Sequence, residues 1–263
     1  MPQQDESSQL QSLGAICEAL TFDSQLAYES LRPDVLLPML VPLIDCPGEG
    51  ILASEISLLA CRATTQLLEA VPKPASDLCM RLGGGPALVR RLLVIDYMDV
   101  AEQAIAALAL LTREIPEALF LASSPEAPNG MCAMLVYLEW YPLATQHMAL
   151  TACSRGCFKA SPQHWPRLEE AAPMLVQLVI NDHDLASTKL ALSVWRNCLE
   201  SLQRYLVPPS SSSSPTGSGA QPYHLQSLAD DALALAESFA QHGLVEALVE
   251  LVHRRFVPGQ SSS

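Results

Sequence analysis

The chain has 263 residues, of which 49% are hydrophobic but only 5% aromatic, and it carries a net charge of −13. Nucleic acids and anionic membrane surfaces attract clustered basic residues, so this charge argues against both kinds of partner. Leucine and alanine supply most of the apolar content. These residues suit closely packed helices better than strands, which favour β-branched and aromatic side chains.

A short leucine–valine phrase recurs along the chain. It begins at residues 40, 88, 135, 175 and 248, so the steps between copies are 48, 47, 40 and 73 residues. A period in the forties between helical segments is typical of armadillo and HEAT repeats. The sequence therefore predicts an all-α fold, an armadillo/HEAT-like right-handed helical-repeat solenoid. Such a stack of helices presents a binding surface rather than an active site.

The predicted helices follow this period in chain order. After the glycines at 83–85, Pro86 suits the first turn of a helix, and Asp99 is predicted to cap the next one. The predicted helices lie at residues 8–20, 25–31, 35–44, 52–70, 86–93, 100–111, 131–141, 144–158, 173–180, 185–206, 225–241 and 244–256.

The pattern also predicts how the chain is divided. Residues 1–207 are predicted to hold an N-terminal cap and about four armadillo-like repeats. Residues 208–222 are rich in Ser, Pro and Gly, so we expect a disordered insertion that buries no core. Terminal repeat helices at 223–257 and a tail at 258–263 are predicted to follow.

The cysteines and the chain start indicate a compartment. The eight cysteines are scattered among apolar residues without paired spacing, as expected of buried, reduced thiols. The first eleven residues are polar and do not resemble a signal peptide, and no apolar run approaches the roughly 20 residues of a membrane helix. We therefore expect a protein of the cytoplasm, the nucleus or both.

Three short clusters could carry chemistry, but a structural interpretation fits each better. The glycines at 83–85 lack the Lys and Ser/Thr of a phosphate-binding loop. Cys153 and Cys157 lack the second cysteine pair of a zinc site. Residues 182–184, Asp-His-Asp, are predicted to form a polar turn that caps a helix. We expect no catalytic residue, no metal site and no cofactor in this chain.

Two further interpretations concern a polar cluster and a tryptophan. A small helical hydrolase using His183 and Asp184 stays open as an alternative, although no second His/Asp cluster supports it. Trp195 is predicted to lie in the core, because no helix shows the Trp-x-x-x-Asn pattern with which importin-like armadillo proteins bind basic peptides.

Polar residues on the long third helix of each repeat are the binding candidates. In armadillo stacks these helices line the concave groove, and the alternative is that each residue is merely solvated. The candidates are Arg62, Gln66, Glu102, Gln103, Gln146, His147, Lys189 and Asn197.

Four segments resemble one family of proteins. They are LQSLGAICEAL at 10–20, CRATTQLLEAVP at 61–72, VIDYMDVAEQAIAALALLTR at 94–113 and LVYLEWYPLATQHMALTA at 135–152. These segments resemble the N-terminal armadillo-repeat region of HECT-type E3 ubiquitin ligases of the ubiquitin-fusion-degradation, or KAKTUS, type. The resemblance extends over about residues 9–202.

The resemblance implies a role in ubiquitin-dependent protein degradation. In that family the armadillo region recognises the substrate, and a separate HECT domain carries the catalytic cysteine. None of the eight cysteines here can be assigned that role, so ubiquitin-protein transferase activity would belong to a longer parent or a partner. The implied partners are protein substrates or adaptors, with ubiquitin itself a further candidate. The alternative is a stand-alone armadillo adaptor or scaffold unrelated to ubiquitin.

Overall fold

A computed structural model describes residues 2–22, 32–46, 50–94, 96–181, 184–206 and 222–256. Within these ranges the regular structure is helical, apart from one antiparallel bridge between Ala122 and Asn129. The chain divides into two compact units, Met1–Cys153 and Ser154–Ser263. The fold is therefore all-α, as the composition and the period predict.

The first unit contains seven complete helices among its described residues and the beginning of an eighth. Short 3-10 helices at Pro116–Phe120 and Leu138–Trp140 flank the seventh. The helices are α1 (Pro2–Phe22), α2 (Pro33–Ile44), α3 (Ile51–Ala70), α4 (Pro72–Arg81), α5 (Gly84–Leu92), α6 (Met98–Glu114), α7 (Gly130–Leu135) and α8 (Leu143–Lys159).

The second unit begins within α8. A 3-10 helix at Pro162–His164 leads directly into the next long helix. The helices that follow are α9 (Trp165–Ile180), α10 (Leu185–Leu206), α11 (Pro222–Gln241) and α12 (Leu244–Phe256). In this unit α10 packs on α11, and α9 packs on α12.

Equivalent helices of successive repeats stack on one another in the first unit. The long helices α1, α3 and α6 pack in series, and so do the short helices α2, α5 and α7. Hydrogen bonds between neighbouring repeats join residues about one period apart: 45 residues for Gln66 and Thr21, and 43 for Thr145 and Glu102. In the second unit the same spacing, 43, separates Asn197 from Ser154. The period in the forties is therefore also the spacing, in residues, between side chains that contact each other in neighbouring repeats.

The leucine of the recurring phrase lies in one helix of each repeat. Leu40, Leu88, Leu135 and Leu175 are all buried, in α2, α5, α7 and α9 respectively. Leu248 of the fifth copy lies in α12 and is half-buried. The phrase recurs because each repeat needs one apolar helix face to pack against its neighbours.

The helix predicted at 8–20 begins at Pro2, α4 was not predicted, and two further predicted helices differ from those observed. The helix predicted at 173–180 begins at Trp165, because Pro166 suits a first turn and Pro173 is accommodated inside the helix on its exposed side. The helix predicted at 131–141 is instead the short α7 followed by a 3-10 helix. The predicted helix at 25–31 and nearly all of the predicted insertion at 208–222 lie outside the described residues.

The predicted cap at Asp99 is wrong. The residue before α6 is Tyr97, which makes no side-chain capping bond, and Asp99 lies in the first turn of the helix. Its Oδ1 accepts a hydrogen bond from the Val100 N–H at 3.0 Å. A carboxylate at this position still stabilises the positive end of the helix dipole.

An ion-pair cluster joins the first two repeats and makes stability depend on pH. Asp45, at the end of α2, accepts hydrogen bonds from Arg90 and, at 2.8 Å, from Arg91. Burial alone would raise the pKa of Asp45, but the hydrogen bonds from Arg91 and Arg90 outweigh it and hold the pKa below the usual 3.8. The stabilisation is therefore complete above 3.8 and is lost as pH falls through the folded-state pKa.

The Asp45→Asn variant should show this dependence. At neutral pH we expect its free energy of unfolding to be only about 1 kcal/mol lower than that of the native chain, because the cluster is partly exposed. The difference should shrink as the pH falls into the acidic range, where Asp45 is protonated. Denaturant titrations of both proteins across that range provide the measurement. A difference that is independent of pH would show that Asp45 acts only through packing.

The cysteines are free thiols, and all except Cys46 are buried. Burial raises the pKa of Cys61, Cys79 and Cys153 to about 12, so these thiols stay protonated and unreactive. A thiol reagent at neutral pH should therefore modify the half-buried Cys46 first and the buried thiols only on unfolding. Mass spectrometry of partly labelled protein tests this, and rapid labelling of Cys61 or Cys153 in folded protein would contradict it.

Candidate protein-binding surface

Six of the eight candidate residues lie on the stacked long helices of the first unit. Two lie on α3, two on α6 and two at the start of α8, and among these six only Arg62 is exposed. The half-buried members are Gln66, Glu102, Gln103, Gln146 and His147.

Two glutamines of this set form hydrogen bonds within the fold. The Gln66 amide donates to Thr21 Oγ1 on α1 at 2.7 Å, and so connects neighbouring repeats. The Gln146 amide donates to the Tyr141 carbonyl oxygen at 2.9 Å and so fixes the start of α8. Both side chains have a structural role that their position in the sequence does not reveal.

Glu102 also contacts the neighbouring repeat. Thr145 Oγ1, on α8, donates to Glu102 Oε2 at 3.5 Å. Burial, with Glu102 and Tyr137 nearby, raises the pKa of Tyr141 to about 12, so its hydroxyl stays neutral. Arg62, Gln103 and His147 are the remaining candidates in this unit.

The second unit holds the other two candidates, both on α10. Lys189 is exposed, whereas the Asn197 amide donates to the carbonyl and the hydroxyl oxygen of Ser154, each at 2.9 Å. Ser154 also shares a hydrogen bond with Ser193. These bonds fix α10 beside the end of α8, so Asn197 positions the surface on which Lys189 lies.

A row of exposed leucines on α10 was missed in the sequence analysis. Leu185, Leu192, Leu199 and Leu206 are 37–59% exposed and recur at every seventh residue. Their spacing is visible in the sequence and is the signal that could have found them.

Basic residues lie between the leucines on α10 and at the end of α8. Lys189 and Arg196 are exposed on α10, and Arg155 and Lys159 are exposed near the end of α8. The Arg204 guanidinium lies 4.9 Å from the centre of the half-exposed Phe158 ring and donates to the Phe158 carbonyl oxygen at 2.6 Å. We call this surface the basic leucine face: the four leucines, Phe158, and the basic residues Arg155, Lys159, Lys189, Arg196 and Arg204.

The first unit carries a smaller aromatic patch, which was also missed. Trp140 is 65% exposed, and its ring centre lies 5.7 Å from that of Tyr137. Val136 and Leu143 beside them are half-exposed or more. Exposed tryptophan and tyrosine side chains are common at the energetic centre of protein interfaces.

The residues that were predicted to be structural are found in structural positions. Asp184 caps α10, because its Oδ1 accepts hydrogen bonds from the Ala186 and Ser187 N–H groups. Trp195 is buried, and so are Cys153 and Cys157. His183 lies outside the described residues. Among those described, no three His, Cys, Asp or Glu side chains gather where they could hold a metal ion.

Sequence comparisons relate the chain to known proteins. Residues 1–120 match a family profile described as "E3 ubiquitin-protein ligase TRIP12-like, TPR repeats". The E3 ubiquitin-protein ligases UPL3 and UPL4 of Arabidopsis thaliana are 30% and 31% identical to this chain over 175 residues, 66% of its length. The predicted resemblance to this group of ubiquitin ligases is confirmed. TRIP12 of Danio rerio, an E3 ubiquitin-protein ligase, is 28% identical over 173 residues.

The chain spans only a small part of these relatives. The matched region covers 9% of UPL3, 11% of UPL4 and 8% of TRIP12. The similarity is therefore to one part of each relative.

Solved structures identify the type of repeat. An engineered protein superposes with a TM-score of 0.56 and 20% identity, covering 90% of this chain and 92% of its own. A designed armadillo repeat protein gives a TM-score of 0.51 and 16% identity, covering 88% and 92% of the two chains. The period in the forties also exceeds the 34 residues of a TPR repeat, so the fold is an armadillo-like solenoid.

The fold suits protein binding, because a helical solenoid presents side chains from successive repeats along one surface.

Across the described ranges, every helix falls short of the length and apolar character that a bilayer crossing requires.

Proposed function

We propose that this chain is the substrate-recognition region of a HECT-type E3 ubiquitin ligase and acts in ubiquitin-dependent protein degradation. The observation that carries the proposal is the match of residues 1–120 to the repeat region of TRIP12-like ligases, together with the relation to UPL3 and UPL4. A repeat region would contribute by binding the protein to be modified.

Binding is proposed to occur along the long helices of the repeats. In the first unit, exposed Arg62 and half-buried Gln103 and His147 are the side chains proposed to meet a partner. In the second unit Lys189 is the side chain proposed to meet a partner. Gln66 and Gln146 of the first unit and Asn197 of the second unit instead hold the helices in place. An extended or helical segment of the partner would dock there, with specificity spread over successive repeats.

The division of the chain into segments is part of the same proposal. We propose repeats over residues 1–207, an insertion at 208–222, terminal repeat helices at 223–257 and a tail at 258–263. Limited proteolysis followed by mass spectrometry tests these boundaries, since cleavage should concentrate in the Ser/Pro/Gly-rich segment.

Overproduction of the chain in its source cells tests the proposed function. Free recognition regions should compete with the intact ligase for its substrates, so a protein that co-purifies with the chain should carry less ubiquitin and turn over more slowly. The measurement is the half-life of that protein after synthesis is blocked, with its ubiquitin conjugates followed when the proteasome is inhibited.

A variant and its control make this test specific. Arg62→Glu combined with Gln103→Ala should weaken the capture and restore the half-life, because both change exposed or half-exposed side chains of the long helices. Lys73→Glu changes an exposed charge on α4 and should behave like the native chain. A bound protein whose ubiquitin conjugates and half-life do not change would instead support the adaptor or scaffold alternative.

A further inference from the structure

The basic leucine face has the geometry of a helix-docking surface. Seven residues fall about 20° short of two helical turns, so leucines at heptad spacing stay on one side of α10 over three heptads. The row extends from Leu185 to Leu206, about 30 Å at 1.5 Å per residue. Leucine at every seventh position is the pattern with which one helix packs along another.

The side of α10 next to the leucine row is already buried in its unit. Trp195 is buried and packs edge-to-face against Phe239 on α11, with 5.0 Å between ring centres. Cys198 and Leu202 are likewise buried. Leu192 and Leu199 lie three and four residues from Trp195, so the exposed leucines extend the buried apolar side of α10 out to the solvent.

The charge of this face is opposite to that of the chain. The α10 helix and the end of α8 from Ser154 onward together contain five of the chain's 15 basic residues, against a single acidic one, Glu200. Glu200 lies 3.7 Å from Arg196 Nε, so the one negative charge already has a positive neighbour. In a chain of net charge −13, this concentration of positive charge provides electrostatic complementarity for an acidic partner.

We propose that the basic leucine face binds an acidic amphipathic helix whose apolar side chains recur once per heptad. The apolar residues of the partner would pack between the leucines and against Phe158. Its carboxylates would meet the exposed Lys189 and Arg196 and the neighbouring Arg155 and Lys159. The inference deepens the proposed function, on which it rests, because it names the partner class for the surface that includes Lys189.

An acidic protein segment fits better than a nucleic acid or a membrane. Phosphate groups would gain nothing from four exposed leucines, and a binding site for single strands would need stacked aromatic residues, whereas this face offers only Phe158. An anionic bilayer would be repelled by the net negative charge of the rest of the chain.

Peptide binding tests the inference. The probe is a fluorescein-labelled helical peptide of about three heptads, with leucine at the first and fourth position of each heptad and glutamate at the flanking positions. Its control has lysine in place of glutamate. We expect the full chain to bind the acidic peptide at least about tenfold more tightly than the lysine peptide in fluorescence anisotropy, and more weakly as salt is added.

Matched variants identify the surface. Lys189→Glu combined with Arg196→Glu should raise the dissociation constant at least about tenfold. Leu199→Ala should also raise it, and circular dichroism should show unchanged helix content in both proteins. Lys73→Glu and Leu82→Ala change an exposed lysine and an exposed leucine of the first unit and should leave the affinity unchanged.

Several results would overturn the inference. They are the absence of binding to the acidic peptide, equal binding of the lysine peptide, and a charge-reversed variant that binds as tightly as the native chain. Displacement of the peptide by a single-stranded oligonucleotide or by phosphatidylserine vesicles would assign the face to one of those ligands instead. If the peptide fails while overproduction still lengthens the half-life of the co-purified protein, the proposed function stands and only this partner class is wrong.

Discussion

Replacing Trp195 with alanine is expected to destabilise the second unit by about 3–5 kcal/mol, among the largest effects of any single change in this chain. Trp195 is only 2% exposed, and its ring packs edge-to-face against Phe239. Its indole N–H donates to the Leu175 carbonyl oxygen at 2.9 Å, which joins α10 to α9. The substitution removes the contacts with both neighbouring helices and leaves a cavity that closely packed helices fill only in part.

Trp140 provides the control for this prediction. It is 65% exposed, so Trp140→Ala should change the free energy of unfolding by no more than about 0.5 kcal/mol. Hydrogen exchange of α9, α10 and α11 reports on the second unit by itself and should accelerate only in Trp195→Ala. Trp195→Phe keeps a ring but loses the hydrogen bond, so its hydrogen-exchange rates should lie between those of Trp195→Ala and Trp140→Ala. Equal hydrogen-exchange rates of α9, α10 and α11 in Trp195→Ala and Trp140→Ala would contradict the packing described for Trp195.

Gly130→Ala should have the second large effect, about 2–3 kcal/mol of destabilisation in the first unit. A Cβ atom on Gly130 would lie 2.9 Å from the Leu119 carbonyl oxygen and 3.2 Å from Val89 Cγ2. The first of these is a backbone atom and cannot rotate away. The Gly130 N–H also donates to the Leu121 carbonyl oxygen at 2.8 Å, which holds the two segments together at the start of α7.

Gly14 is the matched control for Gly130. It lies within α1, and a Cβ atom there would meet nothing within 4 Å. Gly14→Ala should therefore stabilise the chain by about 0.5–1 kcal/mol, since alanine favours the helix more than glycine does. Thermal unfolding of the two variants should shift the first unit's midpoint in opposite directions. A Gly130→Ala protein as stable as the native chain would show that the helix start can move aside.

The helical repeat could be predicted from the sequence because it depends on local patterns. The leucine–valine phrase is the apolar face of the short helices, and the helix predicted at 185–206 has the bounds observed for α10. Trp195 could be placed in the core because apolar residues precede and follow it at helical spacing.

The candidate site was harder to predict because side-chain partners lie one repeat away. Gln66 and Asn197 resemble solvent-facing residues in the sequence, yet their amides bond to Thr21 and Ser154 on neighbouring helices. The close approach of Gly130 to Leu119 depends likewise on how two segments meet. The leucine row of α10 has a different signal, because its leucines recur every seven residues within one helix and not at the period of the repeats.

The most direct test of the proposed role is a ubiquitin-transfer assay on the endogenous protein. An antibody raised against residues 83–113 would precipitate the protein from source cells with its bound partners. Ubiquitin, its activating and conjugating enzymes and ATP would then be added. A substrate-recognition region predicts that a co-precipitated protein acquires ubiquitin, and that excess recombinant chain added before precipitation reduces the signal. Partners that co-precipitate but gain no ubiquitin would contradict the account and identify the chain as an adaptor.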